Sequence, residues 1–133
     1  MSRFYNAAVP SSPETPCDLN ADLHCHSVVS DGTLTPEALA ERARSNGVAL
    51  WSLTDHDEVA GQQRAADAAR AQGVAYLTGT EISVSFAGAT VHIVGLGFDA
   101  DNAALVQGLA ATRGGRDARA RAMAEGLALA GIG

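Results

Sequence analysis

An α/β fold, with parallel strands alternating with helices plus a β-hairpin, is predicted by three features of this 133-residue chain. Short apolar runs alternate with stretches of helical periodicity. Those stretches carry helix caps. One later segment is rich in β-branched residues around a central Ala-Gly. The first strand candidate is "ADLHC", residues 21–25. "TPEALAERARSNG" follows as a helix, with Thr35 as N-cap, Pro36 at the first helical position and Gly47 closing it. Leu39, Ala40 and Ala43 share its apolar face. "VALWSLTD" is the second strand. "EVAGQQRAADAARAQG" is a second helix closed by Gly73, and "VAYLTGTE" is the third strand. "ISVSFAGATVHIVGLG" reads as an antiparallel hairpin. Residues 102–129, rich in Ala, Leu and Arg, read as one helix or as two joined at Gly114 and Gly115. The order strand, helix, strand, helix, strand implies parallel βαβ units.

Composition narrows the class. Hydrophobic residues make up 47% and charged residues 18%, which is globular, and the length suits one domain. Heavy use of Ala and Gly calls for a core of small side chains. A net charge of −6 argues against long duplex nucleic acid or an anionic membrane as partner, but not against a phosphorylated substrate held through bound cations. No segment has the apolar length of a transmembrane span or a signal peptide, so a cytoplasmic location is expected. Residues 1–18, rich in Ser, Pro and Thr, are expected to be a flexible extension ahead of a domain covering 19–133. A disulfide between Cys17 and Cys25 is not expected in that compartment. Cys25 lies between two histidines but on the opposite side of a strand from them, so it reads as a buried structural thiol.

Polar residues gather where the strands end. The first ends in His24, His26 and Ser27, the second in Thr54, Asp55, His56, Asp57 and Glu58, and the third in Glu81, while the hairpin carries His92. In parallel α/β sheets the C-terminal strand ends converge on one face. All four histidines of the chain fall at or near these ends. His24 and His26, two apart on a strand, project to one side and suit one divalent ion, or are two polar residues on a half-exposed strand. Asp31 in "SDGT" is either an acidic ligand or an ordinary Asp-Gly turn. His56 is flanked by two carboxylates able to orient an imidazole, although Asp57 is equally suited to cap the following helix. Glu81 has two oxygens and can bridge two ions, or is a strand-end surface charge. His92 alone reads as a core histidine.

The motifs "DLHCHSVVSDGTLTPEAL", "SLTDHDEVAG", "GTEIS" and "VHIVGLGFD" resemble, in order and separation, those of the PHP (polymerase and histidinol phosphatase) family of amidohydrolase-like metallohydrolases. The similarity is greatest to stand-alone phosphoesterases acting on 3',5'-nucleoside bisphosphates and short RNA 5' ends. It implies a distorted (β/α)7 barrel with up to three divalent transition metals, manganese, zinc or iron, at the C-terminal strand ends. Carried over, His24 and His26 bind the first metal and Glu81 bridges the first and second. His92 binds the second, and Asp31 and His56 bind the third. Asp22 and Asp55 take catalytic or positioning parts alongside Glu81. A metal-activated hydroxide would then attack phosphorus. Arg113, Arg116 and Arg119, spaced by three, form a stripe that either meets a second substrate phosphate or is a solvated face paired with Asp117 and Glu125.

The family pattern continues with a further histidine and a late Asp-x-His pair, whereas no histidine follows Gly97 here. The chain is therefore expected to form the N-terminal half of the barrel, a partial PHP domain with open sheet edges and uncovered apolar surface. Alone it is expected to bind metal weakly and turn over little substrate. The missing C-terminal half is a candidate partner. A non-catalytic PHP remnant serving as a binding module is the alternative.

Overall fold

The computed structural model describes residues 19–131, and within them the side chains of all but residues 116–119. The expected extension at 1–18, with Cys17, lies outside the described residues. The elements in order are β1 (Ala21–Asp22), α1 (Pro36–Ser45), β2 (Leu50–Trp51), α2 (Gln62–Gln72), β3 (Ala75–Tyr76), β4 (Gly79–Phe86), β5 (Ala89–Leu96) and α3 (Ala103–Leu129). β1, β2 and β3 form a parallel sheet in that order, and β4 and β5 form an antiparallel hairpin. No described helix is long and apolar enough to cross a membrane.

The parallel strands are shorter than the apolar runs predict, for identifiable reasons. Past β1 the next ladder bond, from His24 N to Ser52 O, is not made: His24 N turns to Asp22 Oδ1 and Ser52 O accepts from Cys25 Sγ, each at 3.4 Å. His24 and His26 therefore sit beyond the strand, not on it. The expected third strand divides into β3 and β4 at Leu77–Thr78, so Glu81 belongs to the hairpin. The Gln62 amide marks the division. Its Nε2 donates to Leu53 O and Gly79 O, and its Oε1 accepts from Tyr76 Oη and Gly79 N, at 2.7–3.1 Å. Every hydrogen-bonding valence of that amide is used, which is what a buried polar side chain requires.

The helix ends largely follow the sequence. Thr35 accepts a bond from Ala38 N, with Pro36 at the first helical position, and the chain turns left-handed at Gly47 (φ 70°) after the Asn46 cap. α2 begins at Gln62, later than expected, because the Glu58 carboxylate occupies the N–H groups of Val59 and Ala60. α3 is one continuous helix through Gly114 and Gly115, started by Asn102 accepting from Leu105 N.

The core lies between the parallel sheet and the α1–α2 pair. Ala40 and Ala43 of α1 and Ala65 and Ala69 of α2 are buried against Val48, Trp51, Leu53 and Val74. Small side chains let the helices lie close over the sheet, and complete burial of Leu53 contributes about 1.5–3 kcal/mol. Cys25 packs on this cluster, with Trp51 Nε1 donating to its sulfur at 3.2 Å, and burial pushes its thiol up to about 11. It is thus a structural thiol. The hairpin is different: Phe86, Val91, Ile93, Val94 and Leu96 are exposed, which matches the expected uncovered apolar surface. α3 is also largely exposed, with Leu109 buried.

Residues 27–34 fold back under His26, with Ser30 N and Gly32 N donating to Ser27 O and Val28 N to Leu34 O. A Cβ on Gly32 would stand 2.1 Å from the His26 carbonyl oxygen. Gly32→Ala should destabilise by about 1–3 kcal/mol in urea unfolding, whereas Gly108→Ala, whose methyl meets nothing within 4 Å, should stabilise by about 0.5–1 kcal/mol. The hairpin loop places Ala87 and Gly88 at φ 50° and 81°, the sign pattern of a type I′ turn, which disfavours alanine. Ala87→Asn should add about 1 kcal/mol in the same measurement. Between α1 and α2, Arg64 donates from Nε and Nη2 to the two Glu37 oxygens, both at 2.8 Å. That guanidinium holds the Glu37 carboxyl down at about 2, against the usual 4.5. A depressed carboxyl contributes stability that is complete above the unfolded pKa and lost as pH falls through the folded one. The melting-temperature advantage of wild type over Glu37→Gln should hold at neutral pH and vanish between about 4.5 and about 2.

Candidate metal centre

The centre assembles on the strand-end face from three segments. The β1 end supplies His24 and His26, and the loop after it supplies Asp31. The β2 end supplies His56. The hairpin supplies Glu81 from β4 and His92 from β5. Two backbone bonds fix the second and third against each other. Glu81 N donates to Asp55 O at 3.2 Å and Asp57 N to Glu81 O at 2.9 Å, so the His56 segment pairs in parallel with the start of β4.

The Glu81 carboxylate, 10% exposed, stands among all four imidazoles. Its Oε2 is 2.8 Å from His24 Nε2, 3.0 Å from His26 Nε2 and 3.7 Å from His56 Nε2, and its Oε1 is 3.7 Å from His92 Nδ1. Burial opposes its ionisation, but the His24 bond and the fields of His56, His24 and His26 outweigh burial and hold its carboxyl below the ordinary range. The Asp31 carboxylate, 65% exposed, splits between His26 Nδ1 at 3.4 Å and His56 Nε2 at 3.7 Å. Asp31 therefore joins the cluster and is not only a turn residue. His92 is 43% exposed and bonds Ser83 Oγ at 3.4 Å, so it is not a core histidine.

Whether this donor set suits a metal is answered by its spacing. Bonds of ~2.0–2.2 Å put donor atoms of one four-coordinate ion roughly 3–3.5 Å apart. The nitrogen and oxygen atoms here are 2.8–3.7 Å apart, and His24 Nε2 faces His26 Nε2 at 3.2 Å. Three overlapping trios, His24–His26–Glu81, His26–Asp31–His56 and His56–Glu81–His92, each bring their donor atoms within 4.8 Å of one another. His56 Nδ1 is buried without a hydrogen-bond partner among the described residues, and so is His26 Nδ1, whose 3.4 Å approach to Asp31 Oδ1 is not a hydrogen bond. Mixed imidazole and carboxylate donors, crowded together with lone pairs unused, fit divalent cations.

The flanking aspartates do other work than lining the site. Asp55 is 1% exposed and accepts from Ser27 N, Ser27 Oγ and Ser30 Oγ at 2.7–2.8 Å. It fixes the loop that carries His26 and Asp31 and orients no imidazole. Asp57 is buried, caps no helix, and accepts from Ser83 N at 2.7 Å. Asp22 Oδ1 accepts a long bond, 3.4 Å, from His24 N. Ser27, Ser30 and Gln62 are contributors that sequence reasoning did not single out. Ser27 was readable only as the end of the histidine motif, and Gln62 gave no signal above an ordinary helix residue.

Arg113 reaches back from α3. Its Nη1 donates to the Asp57 carbonyl and pairs with Glu58 Oε2 at 3.1 Å. It lines, with Val29, Ser30, Asp31, His56 and Glu58, an open cavity of about 520 Å³ beside the cluster. The Arg116 side chain lies outside the described residues.

Known proteins resemble this chain over most of its length. The chain is 50% identical over 113 residues to a 3',5'-nucleoside bisphosphate phosphatase of Chromobacterium violaceum, covering 85% of this chain and 40% of that protein. It is 42% identical over 111 residues to a 5'-3' exoribonuclease of Haemophilus influenzae, covering 84% and 40%. Among solved structures it superposes, with a TM-score of 0.78 and 50% identity, on an amidohydrolase of Chromobacterium violaceum with bound sulfate and no metal, covering 85% and 40%. A provisionally assigned metal-dependent phosphoesterase of Bifidobacterium adolescentis gives 0.76 and 36%, covering 86% and 40%. The chain thus spans about 40% of the length of these relatives, and its parallel sheet, helices and hairpin are those of the matching part of such a barrel. The PHP domain model matches residues 22–118, which include every donor of the cluster, and the chain belongs to the PHP domain family.

Proposed function

We propose that this chain carries metal-binding residues of a phosphoesterase that hydrolyses a phosphate ester of a small nucleotide, such as a 3',5'-nucleoside bisphosphate or a short RNA 5' end. The observation that carries the reading is the Glu81 carboxylate lying within 3.7 Å of a nitrogen of His24, His26, His56 and His92. In this reading those residues and Asp31 hold up to three divalent ions, manganese, zinc or iron, with Glu81 shared between sites. Bound there, such ions offset phosphate charge and lower the pKa of water.

The chain's own residues do the rest. Glu81 fixes the relative placement of the four rings. Asp55, too deep to touch substrate, positions the His26–Asp31 loop, and Asp22 steadies the His24 backbone. Arg113 lines the cavity shared with Asp31 and His56, which supports a contact to a substrate phosphate; the sequence spacing alone puts Arg116 forward as a second such residue. The relatives named as acting on a nucleoside bisphosphate and on RNA support a nucleotide substrate.

A non-catalytic PHP module is the second reading, favoured by the exposed apolar hairpin face, which suits contact with another polypeptide, the rest of such a barrel included.

The two readings separate in one experiment. Metal content and phosphate release from 3',5'-adenosine bisphosphate are measured for the 133-residue chain and for a form extended to the relatives' length. The extended form should bind transition metal and release phosphate. Glu81→Gln should lower turnover by more than the ~10–100-fold typical of groups outside the coordination sphere. The short chain should bind metal weakly and turn over little. Absence of both metal and phosphate release in the extended form would sink the phosphoesterase reading.

A further inference from the structure

The geometry points to Asp57 as the positioning residue that aims the His56 imidazole, an inference that rests on the metal-centre reading above. Asp57 is fully buried, so it reaches no substrate. Its φ is 50°, in the left-handed region that residues with a Cβ rarely adopt and that aspartate tolerates better than most. Bonds to other described residues hold it there. Its N–H donates to Glu81 O at 2.9 Å, its Oδ1 accepts from Ser83 N at 2.7 Å, and its carbonyl accepts from Arg113 Nη1. The first two go to β4, the strand that carries Glu81, and the last goes to α3.

His56 needs such help. A ligating histidine is usually oriented by a partner on its other ring nitrogen. His56 Nδ1 is buried with no hydrogen-bond partner among the described residues. Its Nε2 stands 3.7 Å from both Glu81 Oε2 and Asp31 Oδ2, too far for a hydrogen bond to either. The ring packs between those of His26 and His92, with centroids 4.6 and 4.9 Å away. What remains to set its direction is that packing and the backbone beneath it. The chain leaves its extended path at the left-handed Asp57, making His56 the last residue paired with β4. Asp57 thereby locks the backbone of His56 to the backbone of Glu81, and the two side chains inherit that register.

The test uses the 133-residue chain free of metal, with histidine-ring NMR, circular dichroism and zinc titration. Asp57→Asn keeps an acceptor and tolerates the left-handed backbone. Asp57→Gly keeps the backbone freedom and loses the Ser83 anchor. Asp57→Ala loses both. The His56 ring signals should move most in Asp57→Ala, less in Asp57→Gly and least in Asp57→Asn, with the His24 ring signals little changed. Apparent zinc affinity should fall about 10–100-fold in Asp57→Gly and recover to within a few-fold of wild type in Asp57→Asn. Where circular dichroism shows Asp57→Ala unfolded, the glycine and asparagine variants decide. His56 signals unchanged in Asp57→Gly overturn the proposal. Where the wild-type chain takes up too little zinc to titrate, the ring signals decide the positioning role, and the extended form decides the metal reading.

Discussion

The parallel pairing of the His56 segment with the first residues of β4 is the constraint on which the centre depends. Glu81 N donates to Asp55 O and Asp57 N donates to Glu81 O, so a strand that will become half of an antiparallel hairpin begins as an extension of the parallel sheet. That double membership is what brings His92 into range. In the hairpin register His92 lies opposite Ser83, and Glu81 lies two residues before Ser83, so His92 and Glu81 are diagonal neighbours on one face. A register slip of one residue would send His92 to the other face and leave Glu81 with the β1 and β2 histidines alone.

An alanine-rich core offers little shape to specify a unique arrangement, and buried polar side chains supply it instead. Gln62 joins α2 to β3, β4 and the end of β2 through four hydrogen bonds. Asp55 joins the β2 end to the loop after β1 through three. Such groups have little effect on net stability when fully bonded, yet a partner removed from one costs about 1–3 kcal/mol. Alternative packings of the strand ends are therefore disfavoured by the bonds they would leave unmade.

The alternation of strands and helices, the caps at Thr35 and Gly73 and the hairpin about Ala87–Gly88 were legible because each is written in local residues. The candidate donors were legible for a related reason: histidines at several strand ends are rare, and the parallel topology has to bring those ends together. The strand limits were not legible. β1 stops where Ser52 O, 27 residues from Cys25, accepts from the Cys25 thiol instead of from the next backbone N–H, and β3 stops where Gln62 takes over Gly79. Neither event leaves a mark in the local pattern. The parts played by the two aspartates beside His56 were hidden in the same way. Both look able to face the ring or cap a helix, and only the fold shows that one bonds the Ser27–Ser30 loop and the other bonds β4.

A net charge of −6 weighs against an anionic substrate, but the field at the site is what a phosphate would meet. The cluster carries two carboxylates, Glu81 and Asp31, and four imidazoles that are neutral when they act as ligands. Two divalent cations would already exceed that negative charge, and the Arg113 guanidinium at the rim is balanced by its partner Glu58. Of the other acidic residues, Glu58 lines the same cavity and Asp22, Asp55 and Asp57 lie beside the histidines, while exposed carboxylates farther than a Debye length of about 8 Å are largely screened at physiological salt. The carboxylates the sequence counts against phosphate are, at the centre, the ones a cation would require. Acidity of the whole chain therefore discourages polyanion binding, while at the proposed centre the local balance of ligand and cation charge would decide which small anion is held.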